Sequence, residues 1–172
     1  MSLKTRSGQA TIINAYAPTL KADPEAKAKF YDDIHRLLLQ IPAENQLFVL
    51  GDFNARVGKD QEVWPSCLGN FGTGKMNDNG QRLLELCADH SLCVTNTFFK
   101  CKPRHQVSWM HPRSRHWHQL DVVLTRRKSL NSVNLTRSYP SADCNTDHSI
   151  VISQVKLVKK RHIPEKQKRN PS

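Results

Sequence analysis

The 172-residue sequence has no apolar stretch long enough to cross a membrane, and residues 1–10 lack the apolar core of a secretory signal. These absences predict a protein that has no membrane partner, is not secreted, and works in the nucleus or the cytoplasm. The length suits one domain with a sizeable core, and we expect a monomer.

The sequence has no regular cysteine pattern, since its five cysteines are odd in number and irregularly spaced. The spacing fits neither a zinc site nor the disulfide framework of a small secreted domain. We therefore predict reduced and partly buried thiols at Cys67, Cys87, Cys93, Cys101 and Cys144.

Acidic residues are few, since 15 Asp and Glu stand against 26 Lys and Arg, and the formal net charge is +11. Most of the excess lies in residues 100–130 and 156–172. These basic stretches predict a polyanionic partner, because Lys and Arg contacts to phosphates release counterions from nucleic acid. The simpler interpretation is a solvated loop and a disordered tail at residues 158–172, where Pro164 and Pro171 occur among few apolar residues.

Hydrophobic periodicity predicts alternating strands and helices. A β-rich strand, a helix that starts at Asp23-Pro24, and a second strand with a short apolar run that does not alternate form a β-α-β unit. The predicted strands are residues 9–16, 46–54, 92–96, 132–139 and 149–157. The helices are 24–41 and one that starts at Asp78 or Asn79, a long loop covers 55–77, and 107–110 pairs with 119–124 around the basic loop 112–118.

Polar side chains end the first two of these strands. Tyr16 ends the first, and Gly51 lets the backbone leave the second so that Asp52 and Asn54 project to one rim. Ligands of open α/β sheets bind beyond the carboxyl ends of the strands, so this rim is a candidate site. The structural alternative is an Asx-rich turn that only ends a strand.

Two later segments supply further titratable groups. Asp121 lies inside an apolar strand, where a buried carboxylate needs a partner. Asp147 and His148 precede the last strand and place a carboxylate and an imidazole where a reacting group could meet both. The alternatives are a turn with a surface histidine, and a buried pair that serves stability alone.

Together these segments resemble the endonuclease/exonuclease/phosphatase superfamily, the fold of deoxyribonuclease I, apurinic endonucleases and retrotransposon endonucleases. The resemblance covers residues 8–157. Residues 79–85 and Ser108-Trp109 look more narrowly like the endonuclease of RTE-type (BovB-like) non-LTR retrotransposons and the related craniofacial development protein 2-like genes. The matched residues are Asn14-Ala15-Tyr16-Ala17-Pro18, Gly51-Asp52-Phe53-Asn54, Ser108-Trp109 with Gln119-Leu120-Asp121, and Thr146-Asp147-His148.

The resemblance implies a four-layer α/β sandwich of the deoxyribonuclease I type with its site at one edge. It also implies Mg²⁺- or Mn²⁺-dependent hydrolysis of DNA phosphodiester bonds. By matching position, Asp121 would orient His148, and Asp52 would orient or deprotonate the attacking water. Asn54 and Tyr16 would donate hydrogen bonds to phosphate oxygens, which gain charge in the transition state.

The resemblance further implies that Asp147 lies in the metal shell, since a hard cation prefers carboxylate oxygen and water. Trp109, with the basic loop 112–118, would border the DNA groove, and Arg113 and Arg115 of that loop would contact the phosphate backbone. Packing is the alternative role for Trp109. Parent elements of this type carry a reverse transcriptase downstream.

One departure from the family pattern concerns the metal. Family members carry an early Asn, and a Glu that is the principal metal ligand, but no acidic residue precedes Asp23 here. Glu25 falls on a predicted helix and Glu44 in a loop. We therefore expect residues 1–157 to be a partial domain that lacks the N-terminal strands, with an incomplete metal site and exposed apolar surface and strand edges.

Three functions fit this sequence. The first is a retrotransposon-derived endonuclease module with most of the catalytic set. The second is a catalytically inactive nucleic-acid-binding remnant that keeps the basic surface. The third is a phosphoesterase for small phosphates, because the same fold also hosts that chemistry.

Overall fold

Strands and helices follow one another along the chain largely as the periodicity predicts. The computed structural model describes residues 1–5, 8–140 and 146–157. Its strands are β1 (Ser2–Thr5), β2 (Gly8–Tyr16), β3 (Gln46–Asp52), β4 (Leu92–Val94), β5 (Trp109–Met110), β6 (Trp117–His118), β7 (Asp121–Arg126), β8 (Val133–Tyr139) and β9 (Ile150–Val155). Its helices are α1 (Pro24–Leu39) and α2 (Asp78–Asp89), with 3-10 turns at Thr95–Thr97, Pro103–His105 and Arg127–Ser132.

The central sheet has the strand order β1-β2-β3-β7-β4. β2 and β3 are parallel and joined by α1, which confirms the predicted β-α-β unit, and the other pairs are antiparallel. β3 occupies the middle because its apolar run suits a strand covered on both faces, and Leu47, Phe48 and Val49 are buried. The ends of β2 and β3 therefore reach the same edge as the start of antiparallel β7.

The predicted pairing of residues 107–110 with 119–124 is wrong. β5 pairs with β6 instead, and β7 lies between β3 and β4 in the central sheet. Residues 122–125 are all buried, so this strand needs cover on both faces that a two-residue hairpin cannot provide. The observed pairing brings Asp121 into register with Asp52.

Both helices begin at side-chain caps. Asp23 caps α1 by accepting a hydrogen bond from the N–H of Glu25 at 3.3 Å, as the Asp-Pro pair predicts. α1 ends at Leu39 rather than at the predicted residue 41. α2 begins at Asp78 as predicted, and Asn77 caps it by accepting from the N–H of Gly80 at 2.8 Å. Residues 55–77 form the predicted loop, without a helix or named strand.

β8 and β9 form a second, antiparallel sheet that meets the central sheet at a polar seam. Thr95 donates from Oγ1 to the carbonyl of Val123 at 2.8 Å, and the same oxygen lies 2.9 Å from Oγ1 of Thr136. The fold is therefore the α/β sandwich that the resemblance implies. Within the described residues β9 pairs with β8 alone, and Ile150 and Ile152 are 43% and 42% exposed, so apolar surface is present on this strand.

The structure also bears on the predictions about membrane-spanning helices and cysteines. Neither helix in the described parts of the chain has the length and hydropathy that a bilayer span requires. Four cysteines are free thiols, three buried and one half-buried, and burial raises the pKa of Cys93 so that it stays protonated. Cys144 and the predicted tail at residues 158–172 lie outside the described residues.

Candidate active site

Strand register places three of the predicted site residues side by side. Tyr16 at the end of β2 is opposite Asp52 on β3, and Asp52 is opposite Asp121 on β7. Directly paired residues lie on the same face of a sheet, so the three side chains project from one edge. Tyr16 is 73% exposed there, which leaves its hydroxyl group accessible.

His148 lies between two carboxylates. Its Nδ1 is 2.9 Å from Oδ2 of Asp121, and its Nε2 is 3.9 Å from Oδ2 of Asp52. The Asp121 contact is a hydrogen bond that fixes the orientation of the ring, and the contact with Asp52 is longer than a hydrogen bond, so Nε2 is not engaged by that carboxylate. An isolated antiparallel β-bridge between the backbones of Trp109 and His148 holds the segment just before β9 against β5.

The backbone around Asp121 is held by a residue to which sequence reasoning gave no role in the site. The Oγ of Ser108 accepts hydrogen bonds from the N–H groups of Leu120 and Asp121 at 3.1 and 3.0 Å. Nδ2 of Asn96 donates to the carbonyl of Asp121 at 3.2 Å. Ser108 and Asn96 therefore act as positioning residues for the carboxylate that holds His148. The sequence did carry a signal for Ser108, because Ser108-Trp109 is one of the matched pairs and lies in the predicted strand 107–110.

The surroundings of Asp52 raise the pKa of its carboxyl group. Burial raises its pKa and Asp121 raises it further, whereas the N–H of Asn54 and the ring of His148 lower it. A raised pKa in the folded state means that the folded chain binds the proton more tightly than the unfolded chain does. The stabilising contribution of Asp52 is therefore complete at low pH. It is lost as the pH rises from about 4 through the raised pKa.

Replacing Asp52 with Asn is expected to stabilise the fold at pH 7 by about 0.5–2 kcal/mol, because Asn keeps the acceptor oxygen without ionising. Urea unfolding at several pH values measures this, and the variant should show a flatter profile above pH 4. Asp33→Asn is the matched control, and its effect on stability should have the opposite sign. The hydrogen bond from Lys29 lowers the pKa of Asp33, so removing that carboxylate should destabilise the fold at pH 7. A loss of stability in Asp52→Asn at every pH would show that the carboxylate contacts outweigh its burial.

Asn54 adopts a left-handed backbone conformation with φ of 47°, which a short polar side chain tolerates. Its N–H donates to Oδ1 of Asp52 at 2.8 Å, and its Nδ2 donates to the carbonyl of Ala17 at 2.9 Å. The amide carries two hydrogens, so one is left for a further acceptor. Buried Asn79 supports this turn by donating to the carbonyl groups of Asn54 and Pro18.

Asp147 and Trp109 form a pair at the other side of the histidine. The indole Nε1 of Trp109 donates to Oδ2 of Asp147 at 2.7 Å, and this hydrogen bond lowers the pKa of the exposed Asp147 carboxyl group. The Trp109 ring stacks on His118 with centroids 6.0 Å apart, and its centroid is 6.4 Å from that of His148. Trp109 therefore belongs to the site.

A cavity of about 700 Å³ joins these groups. Among its walls are six of the predicted site residues, while Asp121 lies behind His148. Arg113 and Arg115 do not line it, since they are exposed in the turn between β5 and β6. The predicted residues in the wall are Tyr16, Asp52, Asn54, Trp109, Asp147 and His148, with His118 from the basic loop. Those that sequence reasoning missed include Lys21, Arg56, Asn77 and His111.

A family model described as endonuclease-reverse transcriptase matches residues 10–152, which is most of the chain. The chain belongs to this family. It is also 38% identical over 147 residues to craniofacial development protein 2 of Bos taurus, and 36% identical over 147 residues to that of Tragulus javanicus. The matches cover 86% of this chain but only 24% and 25% of those proteins, so the chain spans about a quarter of the length of these relatives.

Solved structures show the same fold. The endonuclease domain of TRAS1, a telomere-specific non-LTR retrotransposon, superposes with a TM-score of 0.66 at 17% identity, over 92% of this chain and 63% of that one. The 3′ phosphatase NExo from Neisseria bound to product DNA hairpin gives a TM-score of 0.64 at 14% identity, over 91% and 64%. The resemblance to the endonuclease/exonuclease/phosphatase superfamily, inferred above from short motifs, is thereby confirmed.

The donor atoms of this family member suit a hard cation. One ligand atom each from Asp52, Asp121 and His148 lies within 4.8 Å of the others, and Asp147 lines the same cavity. The hydrogen bond to Asp121 engages Nδ1 of His148, so the carboxylates are the donors better placed for an ion. Mg²⁺ is commonly held by one or two carboxylates, with water and substrate phosphate oxygens completing its shell.

Proposed function

We propose that this chain is a retrotransposon-derived endonuclease module that hydrolyses phosphodiester bonds of DNA in the nucleus with Mg²⁺ or Mn²⁺. The observation that carries the proposal is His148, held at 2.9 Å by Asp121 and facing Asp52 at 3.9 Å across a cavity shared with Asn54 and Tyr16. A positioned imidazole between two carboxylates, with amide and hydroxyl donors beside it, fits one phosphate group. The family membership and the endonuclease among the structural neighbours support the same reaction class.

In this proposal each side chain has a separate task. Asp52 accepts a proton from the attacking water, and the burial that raises its pKa makes it a better base near neutral pH. The water oxygen bonds to phosphorus as the bond to the leaving oxygen breaks. Asp121 keeps His148 oriented next to the phosphate, while Asn54 and Tyr16 donate hydrogen bonds to the phosphate oxygens.

The metal ion, when bound, supplies positive charge that polarises the phosphate oxygens. Asp147 is the residue that we propose to hold it, at the rim of the cavity and fixed by Trp109. This role needs an exposed and ionised carboxylate, and the hydrogen bond from Trp109 favours that form. Trp109 itself presents a ring face to a nucleotide.

A plasmid-nicking assay tests the proposal directly. The parent chain is expected to nick supercoiled DNA in Mg²⁺ and to stop in EDTA, whereas the Asp52→Ala, His148→Ala double variant should be inactive. Nicking that survives in the double variant would assign the activity to another site or to a contaminant. Binding of DNA without nicking by the parent would favour the inactive binding remnant, and release of inorganic phosphate from small substrates without nicking would favour the phosphoesterase.

The exposed turn between β5 and β6 provides a second prediction. Removing both charges in Arg113→Ala, Arg115→Ala is expected to weaken DNA binding and to reduce the slope of log K against log salt by about 2, because each phosphate contact contributes about 0.9. Fluorescence anisotropy over a salt series measures the slope. Lys29→Ala, Arg36→Ala removes two charges from α1 and should leave the slope unchanged. Equal slopes for the two variants would count against a role for this turn.

A further inference from the structure

Arg56 lines the candidate active-site cavity, yet none of the tasks proposed above uses it. The side chain is half-buried, and among the described residues it forms no ion pair with a carboxylate, although Asp52 and Asp147 face the same cavity. Partly buried charges are normally compensated by a partner of opposite sign. The uncompensated guanidinium group is therefore placed to meet an anion.

The backbone of Arg56 is fixed at this position by α2. Asn77 donates from its N–H to the carbonyl of Arg56 at 3.1 Å, and its Oδ1 accepts from the N–H of Arg56 at 3.0 Å. A Cβ atom at Gly80 would lie 1.8 Å from the carbonyl oxygen of Arg56, so only glycine permits this close approach. The base of the side chain is consequently rigid, and only its outer part is free to adjust.

Two further basic side chains, those of Lys21 and His118, line the same cavity. Burial lowers the pKa of His118, and the neighbouring Arg56, His116 and His111 lower it further, which favours the neutral ring. Arg56 and Lys21 therefore supply the positive charge in a cavity that also holds the carboxylates of Asp52 and Asp147. A bound anion would be attracted to that charge.

We propose that Arg56 binds the phosphate adjacent to the scissile one on the same nucleic-acid strand. The inference rests on the proposed function, in which the scissile phosphate lies against Asp52, Asn54 and His148. Arg56 follows Asn54 by two residues in the segment that leaves β3, and both side chains line the cavity. Guanidinium groups match phosphate oxygens in a two-pronged geometry. The subsite selects a polynucleotide over an isolated phosphodiester.

Binding measurements test the subsite without requiring turnover. In EDTA, the affinity of the full chain for a DNA oligonucleotide is measured over a salt series for the parent, Arg56→Met, Arg56→Lys and Lys59→Met. Arg56→Met is expected to reduce the slope of log K against log salt by about 1 and to weaken binding, since one phosphate contact is lost. Arg56→Lys keeps the charge and should restore the slope. Lys59 is an exposed cation outside the cavity, so Lys59→Met should match the parent.

The outcomes separate this subsite from the proposed function. If the parent binds with salt dependence and Arg56→Met has the parent slope, the subsite is wrong and the proposed function stands. If the parent binds DNA without salt dependence, the proposed function itself fails. Hydrolysis of bis(p-nitrophenyl) phosphate, which has no adjacent phosphate, adds a second arm: Arg56→Met should raise KM for the oligonucleotide by a larger factor than KM for this small substrate. An equal loss on both substrates would place Arg56 on the scissile phosphate instead, and circular dichroism melting of each variant confirms folding.

Discussion

The His148→Ala variant is expected to nick DNA between about 100-fold and 10,000-fold more slowly than the parent chain, with its fold intact. The ring of His148 is the group that Asp121 holds at 2.9 Å and that lies 3.9 Å from Asp52, and no other side chain of the described residues bridges these two carboxylates. Single-turnover nicking rates measure the loss. His35→Ala, on the exposed surface of α1, is the matched control and should keep the parent rate.

The pairing of His148 with Asp121 makes a stricter prediction. Asp121→Asn removes the carboxylate that holds the ring of His148, and it should slow nicking on its own. The double variant His148→Ala, Asp121→Asn should be hardly slower than His148→Ala, because residues that act as one unit show strongly non-additive losses. Additive losses would mean that Asp121 acts on the phosphate independently of the histidine.

Gly51→Ala is expected to lower the free energy of unfolding by about 3 kcal/mol or more, through backbone strain and overpacking together. Gly51 has φ of +142°, and a Cβ atom there would lie 1.8 Å from the carbonyl oxygen of Ala15 on the neighbouring strand. The parallel pair β2–β3 would have to separate at that point. The same movement would displace Asp52, the next residue, so nicking should fall together with stability.

The Gly74→Ala variant separates the effect of backbone strain from that of overpacking. Gly74 also has a positive φ, +71°, but a Cβ atom there meets nothing within 4 Å. Its replacement is expected to cost only the strain, about 1 kcal/mol. Urea unfolding of both variants measures the difference. Equal losses would show that the contact with Ala15 relaxes freely and that strain alone decides the outcome.

Parts of the candidate site were predictable from the sequence where a polar residue or a glycine interrupts an apolar run. Asp121 interrupts a strand of apolar residues, and Gly51 breaks an apolar run just before Asp52, so both carboxylates are conspicuous in the sequence. Arg56 was missed because a cation in a loop looks like ordinary surface. Alternation by two residues, from Asp52 through Asn54 to Arg56, was the signal that could have identified it.

The sequence by itself determined the local features: where strands end, where α1 is capped, and which polar groups stand at the ends of buried strands. Only the tertiary structure decided that β7 lies beside β3 rather than beside β5, and therefore that Asp121 meets Asp52 and His148. Strand ends depend on the chemistry of neighbouring residues, which the sequence contains. Pairing between distant strands depends on which arrangement buries both faces of residues 122–125, and that is a property of the whole core.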